Sequence, residues 1–166
     1  MYTFEEVIPL IENSFGKVCC RKRVRFGNSI SIDFGHKRFH NKSNMVDPFY
    51  GEWSFGCYHK LWRILKNNKV ILEGQNDFDS SEKMDRMLQQ VDFGRLEGIV
   101  VLNNLDIVMI LDNNIHIEFL ASSKEEETFG VFLPKNKCLV YYANQGWEYG
   151  KGDLPWPNHL EFDHKL

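Results

Sequence analysis

The sequence predicts an α+β fold: a predominantly antiparallel β meander, curved into one sheet or a half-barrel, with two short helices. Three observations predict it. Aromatic side chains make up 14% of the 166 residues, 13 of them Phe, and such side chains favour pleated, half-buried surfaces. From Ile99 onward, short apolar runs are separated by connections of two to seven residues. Those are too short for a parallel crossover, so neighbouring runs must pair antiparallel. Only two segments join a helical period to a capping residue.

The first of these opens the chain. Thr3 and Glu6 have capping-box spacing, and Phe4, Val7, Ile8, Ile11 and Phe15 follow at helical intervals. Pro9 lacks a donor and disturbs the run, so a short, kinked helix within residues 1–16 is expected, ending near Gly16. Ser29 to Phe34 alternates polar and apolar, the pattern of a strand with one wet face. Residues 35–51 hold Gly35, Asn41, Ser43, Asn44, Asp47 and Pro48 and read as a long loop. Strands are expected over 62–65 and 70–73 around an Asn67-Asn68 turn, because Asn tolerates the left-handed backbone of tight hairpins. Asp79-Ser80-Ser81-Glu82 caps a second helix over 80–91, with Met84, Met87, Leu88 and Val91 on one face. Five further strands follow, at 99–102, 106–111, 115–120, 128–133 and 138–143. Pro155 and Pro157 lack ladder donors, so residues 144–166 read as an irregular tail held on the sheet by Trp147, Tyr149 and Trp156. The whole of 1–166 reads as one domain.

Composition excludes several classes. At 43% hydrophobic and 26% charged, the chain is ordinary for a globular protein and long enough to fold without metal or disulfide. No apolar run approaches a membrane span. Glu5, Glu6 and Glu12 stand where a signal peptide needs basic and then apolar residues, which predicts a cytoplasmic protein. Four scattered cysteines give no disulfide framework and read as free, mostly buried thiols.

The net charge of −3 is unevenly divided. Lys17 to Lys42 holds eight basic residues and one acid, a local +7, while the other 12 basic and 22 acidic residues leave −10. Arg21, Lys22, Arg23 and Arg25 are the densest part. They suit either phosphate neutralisation, with Phe26, Phe34 and Phe39 as stacking platforms, or an edge strand whose cations complement the protein's own acids. The acidic overall balance favours the second and makes nucleic acid an unexpected partner.

No group of residues points to catalysis. Asp33, His36, His40 and His59 are the nearest approach to a metal set, but ligands at a recognisable spacing are missing. Cys57 with His59 or His116 has the types of a nucleophile and base, yet Cys57 lies in an aromatic strand where a thiol is usually apolar filler. Glu52, Glu73, Asp77 and Asp79 form no nuclease-like pattern, and neither phosphate-loop glycine spacing occurs. Neither a cofactor nor a metal is therefore expected. The better candidates for function are acidic and aromatic positions suited to a protein partner: Glu118, Glu125, Glu126, Glu127, Trp147, Glu148, Tyr149 and Asp153.

Gly51-x-Trp53, Trp62-Arg63-Ile64, Gly74-x-x-Asp77, Leu96-x-Gly98, Asp106 to Leu111 and Ile115-x-Ile117-x-Phe119 form a block across residues 51–120. That block resembles small β-rich bacterial proteins encoded beside polymorphic or contact-dependent inhibition toxins and taken to be their immunity proteins. The resemblance implies a non-enzymatic antitoxin that neutralises a cognate toxin domain, expected to be a nuclease, by surface complementarity. It carries no catalytic motif to transfer. The alternative is a nucleic-acid- or ligand-binding module using residues 17–42.

Overall fold

The structure, a computed structural model, describes residues 1–122 and 126–152. Helix α1 spans Phe4–Ile11. Its capping box is closed: the Thr3 hydroxyl accepts from the Glu6 amide at 3.3 Å, and the Glu6 carboxylate accepts from the Thr3 amide at 2.7 Å. Pro9 sits inside the helix, where its missing N–H forgoes only one backbone bond. The helix gives way to a 3-10 turn at Glu12–Ser14, and Gly16 at φ +84° turns the chain into the first strand. Val7 and Ile11 are fully buried.

Eleven strands follow among the described residues. They are β1 (Cys19–Val24), β2 (Ile30–Phe39), β3 (Phe49–Cys57), β4 (Trp62–Lys66), β5 (Lys69–Glu73), β6 (Leu96–Val101), β7 (Ile107–Leu111), β8 (Ile115–Phe119), β9 (Glu127–Leu133), β10 (Lys137–Tyr142) and β11 (Gly146–Lys151). Helix α2 (Ser81–Gln89) lies between β5 and β6. All pairings are antiparallel. The expected class is therefore observed, with the strands divided between two sheets. One is six-stranded, in the order β1-β2-β3-β9-β10-β11; the other is five-stranded, in the order β5-β4-β8-β7-β6. The chain leaves the larger sheet after β3, builds the smaller one, and returns at β9.

Local chemistry explains the hairpins. Asn67 and Asn68, Asn113 and Asn114, and Lys135 and Asn136 all have positive φ, the left-handed pairs that match the twist of two-residue turns. In α2 the Ser80 hydroxyl accepts from the Lys83 amide at 3.1 Å, and Met84 and Leu88 face inward. The helix packs over β1, to which Asp85 ties it. The sheets meet at one corner, where Gly16 donates to the Leu96 carbonyl at 2.7 Å and Leu96 donates to the Lys17 carbonyl at 3.0 Å. Between them lies one apolar cluster drawing on both helices and both sheets. Phe119 of β8 and Phe129 of β9 meet there with ring centroids 4.6 Å apart.

Two expectations change. Residues 35–51 are not one loop: β2 continues to Phe39 and β3 begins at Phe49, leaving a connection over 40–48. A register shift between Phe34 and Lys37, with Gly35 at φ +88°, accommodates the break in alternation. Beyond it the strands run on as an exposed two-stranded ribbon, closed by Phe39 against Phe49 at 5.7 Å. Residues 144–152 are not irregular either. β11 is an edge strand, the one sheet position that leaves a donor-poor continuation unpenalised. Pro155, Trp156 and Pro157 lie outside the described residues. No helix among the described residues is long and apolar enough to cross a membrane.

Candidate binding groove

The basic stretch is placed by its register. Arg21 pairs with Asp33 and Arg23 with Ser31 across β1 and β2, so these side chains share the face of the six-stranded sheet turned away from the core. Arg21, only 6% exposed, donates to Asp33 at 3.2 Å and to Asp47 at 2.9 Å. Arg23 grips Asp47 through two nitrogens, at 2.8 Å each, and reaches Asp85 of α2 at 2.8 Å. Hydrogen bonds from Arg23 hold the Asp47 carboxyl below its ordinary range. Burial pushes Asp33 up, against the pull of Arg21. The network contains two cations and three carboxylates, so Arg21 and Arg23 are consumed by the protein's own acids. They also lie on an edge strand.

The remaining cations frame an open groove of about 1160 Å³ across the same outward face. Its floor combines small residues in register, Ser31 opposite Gly56, Gly56 opposite Gly130 and Asp33 opposite Ser54, with Phe132 opposite Ser54. A Cβ at position 56 would collide with the Ile30 carbonyl oxygen, so only glycine fits there. Arg25, Arg38 and Lys42 line the groove from the β1–β3 part of the chain and Lys135 from the β9–β10 turn, whereas Lys137, the first residue of β10, sends its ammonium over Tyr149 on the core-facing side. Glu52 lines the groove too, already paired with Lys17 at 3.0 Å. Tyr50 is flanked by Arg21 at 5.6 Å and Lys42 at 5.8 Å. Exposed Tyr58 completes the lining on the β3 side.

Arg25 is the distinctive cation. Partial burial, and then the charge of Arg21, push its guanidinium below its ordinary range. It makes no side-chain hydrogen bond or ion pair among the described residues. Lys135 holds φ +64°, a conformation that costs a lysine roughly 1 kcal/mol or more relative to glycine. Sequence reading reached Arg25, Arg38 and Lys42 as part of the basic segment and missed Lys135, which is remote in sequence and isolated within a turn.

The acidic candidates do not form one face. Glu118 is on β8, in the smaller sheet, and ion-pairs with Arg63. Glu126 is exposed immediately before β9. Glu127 and Glu148 come together around Tyr142: Glu127 is its cross-strand neighbour, and burial followed by both carboxylates pushes that phenol up to about 12. One Glu127 oxygen is buried with no hydrogen-bond partner among the described residues, and burial raises its carboxyl to about 7. Tyr149 is half-buried against the core, with Lys137 over its ring at 5.6 Å. Trp147 corrects the sequence reading. It is 1% exposed and packs on Tyr141 at 4.9 Å, because strand alternation turns it inward, so it presents no surface to a partner. Glu125 and Asp153 lie outside the described residues.

The catalytic candidates are likewise separated or engaged. The Nδ1 of His59 accepts from the Leu61 amide at 3.0 Å, which leaves the proton on Nε2 facing the Thr128 carbonyl at 3.2 Å. The Cys57 thiol donates to the His59 carbonyl at 3.4 Å, and burial drives its acidity down. His116 stands on β8, opposite Leu65 and Ile110. His40 accepts from the Lys42 amide at 3.2 Å and packs on Tyr50. Asp77 pairs with Lys60 and Asp79 with Lys83, each apart from Glu52. Among the described residues no group of three or more His, Cys, Asp or Glu is placed to hold a metal ion. Of the proposed stacking platforms, Phe34 is in the core, whereas Phe26 is 98% exposed.

No protein-family model, curated protein or solved structure matches the chain.

Proposed function

We propose that the chain acts by binding another macromolecule, with no chemistry of its own, and that the partner docks in the basic groove. The observation that carries this reading is the groove itself: small residues floor it, and cations from distant parts of the chain converge on it. The engaged ring nitrogens of His59 and the poorly acidic Cys57 thiol support binding over catalysis. The immunity-like block at residues 51–120 suggests the partner's class, a cognate toxin domain, which this chain would neutralise in the cytoplasm. The sign of the docking face differs from the sequence expectation. Its cations favour an acidic region of the partner, where an acidic face would have suited a basic nuclease.

Growth protection tests the reading. Co-expression with the toxin encoded next to this chain should preserve growth, and the double variant Arg25→Glu/Lys135→Glu should lose that protection while retaining the wild-type circular dichroism spectrum. Equal protection by the folded double variant would sink it.

A further inference from the structure

We infer that the element seated in the groove is a short, extended acidic polypeptide segment, an inference that rests on the docking reading above. The floor provides the first argument. Ser31, Ser54, Gly56 and Gly130 project little or nothing from the sheet, beside the larger Phe132, so a main chain can lie close to the Ser31–Gly56–Gly130 row, with its side chains free to reach either side. The walls provide the second. Arg25 and Lys42 line the groove from the β1–β3 part of the chain and Lys135 from the β9–β10 turn, and a strand directs successive side chains to opposite sides. An acidic strand therefore offers carboxylates to both walls at once.

Size fits the same arrangement. From β2 to the β9–β10 turn is two to three inter-strand spacings, about 10–14 Å, a width that the side chains of a strand lying between the two sides can bridge. Charge decides against the other polyanion. Residues outside 17–42 carry −10 in total, so the positive field is local, and a long nucleic acid would leave the groove onto an acidic protein. A segment of a few carboxylates ends where the cations end. Arg25 then acquires the direct ion pair that it lacks among the described residues, where Asp47 and Asp33 act on it only at longer range, and Lys135 supplies an ammonium from the β9–β10 turn.

The test uses the full chain and two fluorescent probes, a capped hexaglutamate peptide and a thymidine oligonucleotide of equal charge, followed by anisotropy. The peptide should bind, weaken steeply between about 20 and about 200 mM salt, and exceed the oligonucleotide in affinity. Arg25→Glu/Lys135→Glu should weaken it by about tenfold or more. Lys66→Glu, on the smaller sheet, should leave it unchanged. Failure of the peptide to bind, tighter binding of the oligonucleotide, or equal loss in Lys66→Glu would each overturn the inference. If growth protection still depends on Arg25 and Lys135 while the peptide does not bind, the docking reading survives and the acidic-strand inference alone falls.

Discussion

Individual residues here carry costs that make sense only once their neighbours are known. Lys135 is the simplest case: replacing it with glycine removes the strain at φ +64° and should raise stability by roughly 0.5–1 kcal/mol. The same change removes a rim cation, so denaturation and probe binding should move in opposite directions. Glu127 is the pH-sensitive case. Its folded carboxyl titrates near 7, against an ordinary 4.5. Below about 4.5 it is protonated folded or unfolded and costs nothing. As pH rises toward 7 the unfolded chain ionises first, stability falls, and above 7 the cost levels off at up to about 3 kcal/mol. Glu127→Gln should therefore melt higher than the parent at pH 8 and match it at pH 4; equal melting at both would discard the idea. Arg21 was visible in the sequence as one cation among eight, but its pairing was not. Which acid faces it depends on strand register, and Asp33 and Asp47 lie 12 and 26 positions away. Arg21→Ala would strand buried Asp33 and should cost about 3–5 kcal/mol, measured by chemical denaturation.

At the scale of elements, the legible features were those whose physics is local. Thr3 and Ser80 announced both helices, and the Asn pairs announced their hairpins, because caps and left-handed turns depend on adjacent residues. What escaped were elements decided by their neighbours. Residues 35–39 and 49–51 contain glycines, and a basic run at 36–38, that break the strand pattern, yet they pair because β2 and β3 are already aligned by Ile32, Phe34, Trp53 and Phe55. β11 reads as irregular in sequence, but Trp147 packs in the core against Tyr141 and Phe129 and is held by the Tyr2–Trp147 bridge. Helix α2 is fastened to β1 through Asp85, which accepts from the Val24 amide and from Arg23, and through Gln89, which donates to the Lys22 carbonyl. Asp85→Ala should cost about 2 kcal/mol and speed amide exchange through Met84–Gln89 with little change in β9–β11. Uniform loosening of all elements would contradict that local role.

The whole molecule separates its charges in a way that composition only half revealed. The division between a basic first third and an acidic remainder was plain, and so was the preference for an edge strand with internal partners. The groove was not, because it is assembled from Arg25, Lys42 and a turn more than ninety residues further on, and no sequence window contains both walls. The split into two sheets was equally hidden, since hairpin signals specify neighbours without specifying where a run of neighbours changes sheet.

That split has a consequence for how the chain is made. Ser54 and Gly56 of β3 pair with Phe132 and Gly130 of β9, so the ladder at the centre of the larger sheet closes only after the smaller sheet has been synthesised in between. Until residues 127–133 leave the ribosome, the open flank of β3, with Trp53 and Phe55 behind it, has no permanent neighbour. Closing so long a loop is slow, and the nascent chain spends that interval exposed to association with its siblings. Chains stalled before Glu127 should be cut readily by trypsin within β1–β3, whereas chains stalled far enough beyond Lys151 to free β9–β11 should resist it; early resistance would mean that the first three strands settle on their own.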